Sequence, residues 1–331
     1  MPNIRAMGRR ACMALLLSSA ATLRVKAAPS IRLGVLQFGS VQWIASLIRN
    51  RGLDAARGFA LQSVLLANTD AGRVALMAGA ADVVVSDWLF AAAQRANGTP
   101  LCFAPFSSAA GALMAPAKSA IKSLTELPGK KLGVAGGPTD KSWIILQAAA
   151  RAQYGLDLAR GAQVVYAAPP LLSAKLQQGE LDSVLTYWNF AARLEADGCR
   201  QLISMADCYR VLGLPERTCL VGYVFHQRWA EQNRAAVNGF LAASAAAEDL
   251  LAHDPAAWNA IRPLMDAPDE AIFSALKNRF INGIVSLSTE QQAEAAKQVF
   301  RVLQRTGGGR AVGGLDTLPE GLFWRAESPA I

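Results

Sequence analysis

Short apolar runs rich in branched side chains alternate along this chain with stretches whose apolar positions recur every three or four residues. The first run, 31–38, gives way to Gly39-Ser40 and then to a helical pattern over 41–57, which predicts strand, loop and helix in that order. Further runs at 61–67, 82–86 and 101–105 are separated by helical patterns at 70–79 and 87–97. Apolar strands interleaved with helices predict a parallel, doubly wound sheet. The same order returns downstream, with strands expected at 131–135, 163–167, 182–187 and 200–205 and helices at 139–154, 171–179 and 188–197.

The second half repeats the first residue by residue at several points. At an offset of 100 residues Trp43 falls on Trp143, Leu76 on Leu176, Gly79 on Gly179, Asp82 on Asp182, Trp88 on Trp188 and Phe90 on Phe190. A Leu-x-x-Gly-x-x-Asp pattern ends a helix on a glycine cap and leads into a buried strand, so those positions have a structural reason. The tryptophans have no such reason. Trp88 and Trp188 follow the carboxyl ends of strands, and Trp43 and Trp143 fall in the first turns of helices after strands. In open parallel sheets that edge is where ligands bind.

Between the halves, the small-residue stretch 105–117 reads as one crossover and 212–224 as the return, and two crossovers make a hinge. From residue 227 the pattern is helical, over 227–253, 269–281 and 289–305, and ends in the glycine-rich 307–314. These helices are expected to pad the first lobe. The fold class is therefore α/β, two Rossmann-like lobes with a hinge: residues 28–107 plus 222–331 form lobe 1, and 108–221 form lobe 2.

The amino terminus changes the charge picture. Arg5, Arg9 and Arg10 precede thirteen uncharged residues, 11–23, and then the small-residue site Val25-Lys26-Ala27. That pattern reads as a secretory signal peptide over 1–27, cleaved near Ala27, and the apolar run is shorter than the ~20 residues a membrane span needs. Arg9-Arg10 raises twin-arginine export, but the flanking residues favour ordinary secretion. Five of the 33 basic residues and none of the 25 acidic ones lie in this segment, so its removal lowers the net charge from +8 to +3. No basic run is left, and a nucleic-acid partner has no electrostatic footprint. Cys102, Cys199, Cys208 and Cys219 remain; an oxidising compartment permits a bridge, with Cys199–Cys208 and Cys208–Cys219 nearest in sequence, and free buried thiols are the alternative.

Several segments together resemble the periplasmic substrate-binding proteins of ABC importers in the nitrate, sulfonate and taurine class, which includes binders of thiamine pyrimidine precursors. They are the opening Ile-Arg-Leu-Gly-Val strand, Ala-Leu-Met-Ala-Gly-Ala-Ala-Asp-Val-Val-Val at 75–85, Ile-Lys-Ser-Leu-Thr-Glu-Leu-Pro-Gly-Lys-Lys-Leu-Gly-Val at 121–134, and Leu-Thr-Tyr-Trp-Asn-Phe-Ala-Ala-Arg-Leu-Glu-Ala-Asp-Gly at 185–198. The likeness spans nearly all of 31–305. It implies the type II periplasmic-binding fold, closure of two lobes on a ligand, and docking on a permease. It also directs attention to the loops after the first strand of each lobe, 39–43 and 136–143, and to Tyr223 near the second crossover.

The candidate ligand contacts follow from these positions. Trp43, Trp88, Trp143 and Trp188 offer faces that stack on flat rings and attract cations, at about 0.5–2 kcal/mol each, although core packing is the plainer role of any one. Asp87 and Tyr187 occupy matching places in the two halves and supply an acceptor and a hydroxyl. Gly137, Thr139 and Asp140 open a helix whose amides can receive a polar group or can simply be capped. Ser40, Gln42, Ser86, Ser108 and Asn189 lie on the same rim and can orient a ligand or terminate turns. Lys141 is the one basic residue of these loops, so a flat heterocycle or a cation suits the site better than nitrate, with a sulfonate as the alternative. No cofactor is called for, and His226 and His253 are too isolated to form a metal site.

An extracytoplasmic solute-binding protein, working as a monomer with a small-molecule ligand and an ABC permease, accounts for these features. A periplasmic ligand-binding sensor would use the same fold. An enzyme acting on a small heterocycle would need chemistry of which the sequence offers little: Gly-x-Ser-x-Gly, His-Glu-x-x-His and a phosphate loop are all absent.

Overall fold

A computed structural model describes residues 28–36 and 39–326, so the expected signal peptide lies outside the described residues. The chain runs β1 (Ser30–Leu36), α1 (Ser40–Asn50), β2 (Ala60–Leu66), α2 (Thr69–Met77), β3 (Val83–Asp87), α3 (Trp88–Ala96) and β4 (Leu101–Ser107). It crosses over and continues with β5 (Ala112–Ala115), β6 (Lys131–Ala135), α4 (Lys141–Tyr154), α5 (Leu158–Gly161), β7 (Gln163–Ala167), α6 (Pro169–Gln177), β8 (Ser183–Thr186), α7 (Trp188–Ala196), β9 (Arg200–Ser204) and α8 (Met205–Val211). The return strand is β10 (Val221–His226), followed by α9 (Gln227–Gln232), α10 (Arg234–His253), α11 (Pro255–Ile261), α12 (Glu270–Asn282) and α13 (Thr289–Ala311).

Two five-stranded sheets result, ordered β2-β1-β3-β10-β4 and β7-β6-β8-β5-β9. They are the same arrangement twice: β6, β7 and β8 take the places of β1, β2 and β3. The sheets are not wholly parallel, as the strand pattern predicted. In each, one strand runs antiparallel to both neighbours, β10 between β3 and β4 and β5 between β8 and β9. Both lie in stretches that read as crossovers, and each enters its sheet immediately after the chain changes lobes.

The repeated sequence positions have repeated jobs. Gly79 and Gly179 take the left-handed conformation, φ +70° and +75°, that ends a helix without a Cβ clash. Leu76 and Leu176 are buried beneath those turns. The Asp82 carboxylate accepts the Arg32 amide at 2.8 Å and the Asp182 carboxylate accepts the Lys131 amide at 2.8 Å, so each aspartate ties the turn to the first strand of its own sheet.

The carboxyl-terminal helices do more than pad the first lobe. α10 and α11 pack there, with Phe240 against Phe59 and Tyr223, but α12 lies against α7 and α13 against α4 of the second lobe. One apolar cluster therefore continues from Val84 and Trp88 through Val299, Phe300 and Leu303 of α13 to Val134 and Trp143. The helix expected over 227–253 breaks at Asn233, and α13 passes through its glycines to Ala311 with a kink at Gly308 (φ +68°). All four described cysteines are free thiols, and three of them, Cys102, Cys208 and Cys219, are buried.

Candidate functional site

The carboxyl ends of β3 and β6 face each other across the junction of the lobes. Asp87 ends β3 and caps α3 by accepting the Phe90 amide at 3.0 Å. Its other oxygen takes the Arg73 guanidinium at 2.7 Å and the Lys141 ammonium at 3.1 Å. Lys141 is the first residue of α4, so this ion pair joins the lobes. Burial works against the Asp87 carboxylate, but Lys141 and Arg73 outweigh it and hold its pKa below the usual range. Arg73 is itself fixed: it donates to Ser86 Oγ at 3.1 Å and lies over the Phe90 ring at 4.9 Å.

Beside this pair, Asp140 caps α4 by accepting the Trp143 amide at 3.2 Å, and burial raises its pKa. Burial and the neighbouring Asp140 push the Tyr187 hydroxyl up to about 12, so it stays a hydrogen-bond donor. Gly136 is needed between them. Its φ is +86°, and a Cβ there would sit 3.1 Å from Tyr187 Oη and 3.2 Å from Asp140 Oδ2.

A second contact between the lobes is aromatic. Trp188, at the start of α7, meets Trp43 of α1 edge to face, centroids 6.1 Å apart, and Phe280 of α12 at 6.3 Å. Trp43 is held from behind by Phe280 and Trp258 and donates its Nε1–H to the Leu264 carbonyl at 3.2 Å. Trp188 also walls a crevice of about 390 Å³, lined further by Ser108, Ser204, Asn278, Arg279 and Asn282. Arg279 crosses it to Glu195 at 2.8 Å and Gln201 at 3.1 Å. The first crossover forms its floor: the Ser108 amide and hydroxyl both donate to the Gly283 carbonyl, at 2.9 and 3.1 Å. Glycines allow the squeeze, since a Cβ on Gly111 would lie 1.9 Å from the Thr186 carbonyl oxygen and one on Gly283 2.4 Å from Ala109 Cβ. A depression of about 470 Å³ elsewhere belongs to the 259–268 turn alone and includes no strand end.

Of the residues singled out in sequence, Asp87 and Asp140 lie by Lys141, Ser86 joins them through Arg73 and Tyr187 stands beside Asp140, while Ser108 and Trp188 line the crevice. Ser40, Gln42 and Asn189 are half-buried in the first turns of α1 and α7, and Gln42 Oε1 is buried without a hydrogen-bond partner. Gly137 is half-buried and Thr139 exposed on the loop before α4. The four-indole enclosure does not form. Trp88 and Trp143, each 1% exposed, belong to the apolar cluster that also takes in α13, and α13 packs directly on α4. Tyr223 points the other way, into the first lobe, where its hydroxyl meets Ser244 Oγ at 2.7 Å and its ring meets Phe240. Only Trp43 and Trp188 face each other between the lobes.

Arg73 and Arg279 escaped the sequence reading. Arg73 shares α2 with the buried Gly72 and Leu76, and a cation among inward-facing helix positions is the signal that marks it. His226 and His253 take no part, since each contacts a backbone carbonyl elsewhere, Leu76 and Asp249. Among the described residues no group of three or more His, Cys, Asp or Glu side chains gathers to hold a metal.

Residues 52–257 match the family described as NMT1/THI5 like. The chain belongs to this family. Members of the wider fold are close in shape to this NMT1/THI5-like chain. The periplasmic aliphatic sulphonate binding protein SsuA from Escherichia coli superposes with a TM-score of 0.69 at 19% identity, covering 91% of this chain and 96% of that one. The alkanesulfonate-binding protein SsuA from Xanthomonas axonopodis pv. citri, bound to MOPS, gives 0.65 at 19% identity, covering 90% and 98%. The desulfurization enzyme DSZB gives 0.55 at 14% identity over 84% of this chain and 92% of its own. At these identities the likeness is one of fold, the two-lobed periplasmic-binding arrangement. No curated protein matches the sequence.

Proposed function

We propose that the chain is an extracytoplasmic solute-binding protein that takes a small molecule between its lobes and delivers it to an ABC importer. The lobes are residues 28–107 with 222–331, and 108–221. The reading is carried by one observation: two sheets of the same strand order meet at one junction, where the Asp87–Lys141 pair and the Trp43–Trp188 contact join the lobes and Trp188 walls a 390 Å³ crevice. A ligand there contacts both lobes at once, so binding and the relative position of the lobes are coupled. Trp188 supplies a flat apolar wall, and Ser108, Asn278 and Asn282 supply hydrogen-bonding groups, a combination suited to a small molecule with a planar part and polar substituents. The expected signal peptide and the sulfonate-binding proteins of like fold support export and transport as the setting.

The test is isothermal titration of the mature protein against a panel of alkyl and aryl sulfonates, neutral heterocycles and organic cations. A member of the panel is expected to bind, and Trp188→Ala is expected to weaken it roughly tenfold or more. An unchanged affinity in a folded Trp188→Ala protein places the ligand outside this crevice.

A further inference from the structure

The Asp87–Lys141 contact deepens the reading just given, and rests on it. Three observations define it. Lys141 and Arg73 come from different lobes and converge on one oxygen of Asp87, at 3.1 and 2.7 Å. The trio is largely withdrawn from water, with side-chain exposures of 28, 31 and 13%. Its position is the carboxyl end of a strand, at the junction where the lobes meet. Every other charged group nearby is otherwise engaged: Asp70 meets Arg73 from the solvent side, 84% exposed, and Asp140 is turned onto its own helix.

Two cations from two elements, brought to a single carboxylate oxygen, are the arrangement a protein uses to hold the anionic group of a ligand. Here the anion is the chain's own. We propose that Arg73 and Lys141 form a subsite for a carboxylate, sulfonate or phosphate group of the ligand, and that Asp87 fills it when no ligand is bound. Capture is then an exchange: the ligand's anion takes Lys141 and Arg73 from the Asp87 oxygen they share, while the Phe90 amide keeps the other Asp87 oxygen on its helix cap. Asp87 becomes the specificity-determining residue, because only an anion that binds the two cations better than a carboxylate already in place displaces it.

Titration calorimetry with benzenesulfonate, benzoate and phenyl phosphate, and with neutral benzamide, tests the exchange in the wild type, Asp87→Asn, Lys141→Met and Lys141→Gln. Asparagine keeps the helix cap and removes the competing charge. Asp87→Asn is expected to bind the best anion several-fold more tightly and benzamide no better, and the Lys141 variants to lose roughly tenfold or more for the anion. Both changes break the tie between the lobes, so ligand-free scattering should show a larger radius of gyration for each variant than for the wild type. The proposal is overturned if Asp87→Asn binds anions no better, or if both Lys141 variants bind them as the wild type does. Binding of benzamide or an organic cation without any anion overturns it and leaves the solute-binding reading standing; binding of nothing in either panel removes both.

Discussion

Glu248 sits on α10 with 8% of its surface exposed, close enough to Tyr223 and Cys219 to add to the rise in pKa that burial causes in both. Burial is the cause of its own shift, from 4.5 up to about 8. The folded protein therefore holds a proton that the unfolded chain releases near 4.5, and stability falls as the pH rises from there to about 8. The slope contributed by this one group is at most about 1.4 kcal/mol per pH unit. Glu248→Gln is neutral throughout and should flatten that dependence, leaving the variant more stable than the wild type near pH 8; urea denaturation at pH 5 and pH 8 measures it, and equal slopes in the two proteins would remove the assignment. The residue scale is also where sequence says least. Asp87, Asp140, Tyr187 and Trp188 were legible because they follow strands. Trp88 and Trp143 occupy equivalent places yet are buried in one cluster with a helix that starts about 150 residues or more farther along, and no local pattern encodes that distant packing. Arg73 was hidden for the opposite reason, since apart from Asp70 its partners, Ser86, Asp87 and Phe90, come from β3 and α3 and not from its own helix.

At the scale of elements, the duplicated turn is the clearest case of a sequence pattern with a physical cause. Asp82 and Asp182 each receive the backbone amide of a first strand, and Asp82 adds a 2.6 Å ion pair to Arg32. Replacing either by alanine leaves that amide without its charged acceptor and should cost about 1–3 kcal/mol. Asp82→Ala is expected to be the costlier, since Asp82 is the partner with the additional ion pair. Denaturation midpoints of the two variants check this, and a loss from only one of them would break the equivalence of the two turns. The strands at 131–135 and 163–167 were legible to the residue because they are apolar, branched and bounded by turns. β5 and β10 were not. Ala112–Ala115 and Val221–His226 are short, rich in small residues or flanked by glycine, and become strands only because an existing sheet offers them two edges.

At the scale of the whole molecule, the offset of 100 residues foretold two like halves, and the structure adds how they are joined. Three of the contact sets that hold the lobes differ in place: Asp87–Lys141, the Trp43–Trp188–Phe280 group, and the α13–α4 seam that makes one apolar cluster continuous. The first two lie where a ligand would sit, and the third lies behind, so ligand exchange is expected to disturb the former while the latter acts as the pivot. Hydrogen exchange with and without a bound ligand tests this most directly. The account predicts simultaneous protection of segments from both halves, around residues 40–43 and 86–88 of the first lobe and around 108–111, 136–141 and 187–189 of the second, with the α13–α4 seam unchanged. Protection confined to one half, or to the outer surface, would contradict a ligand held between the lobes.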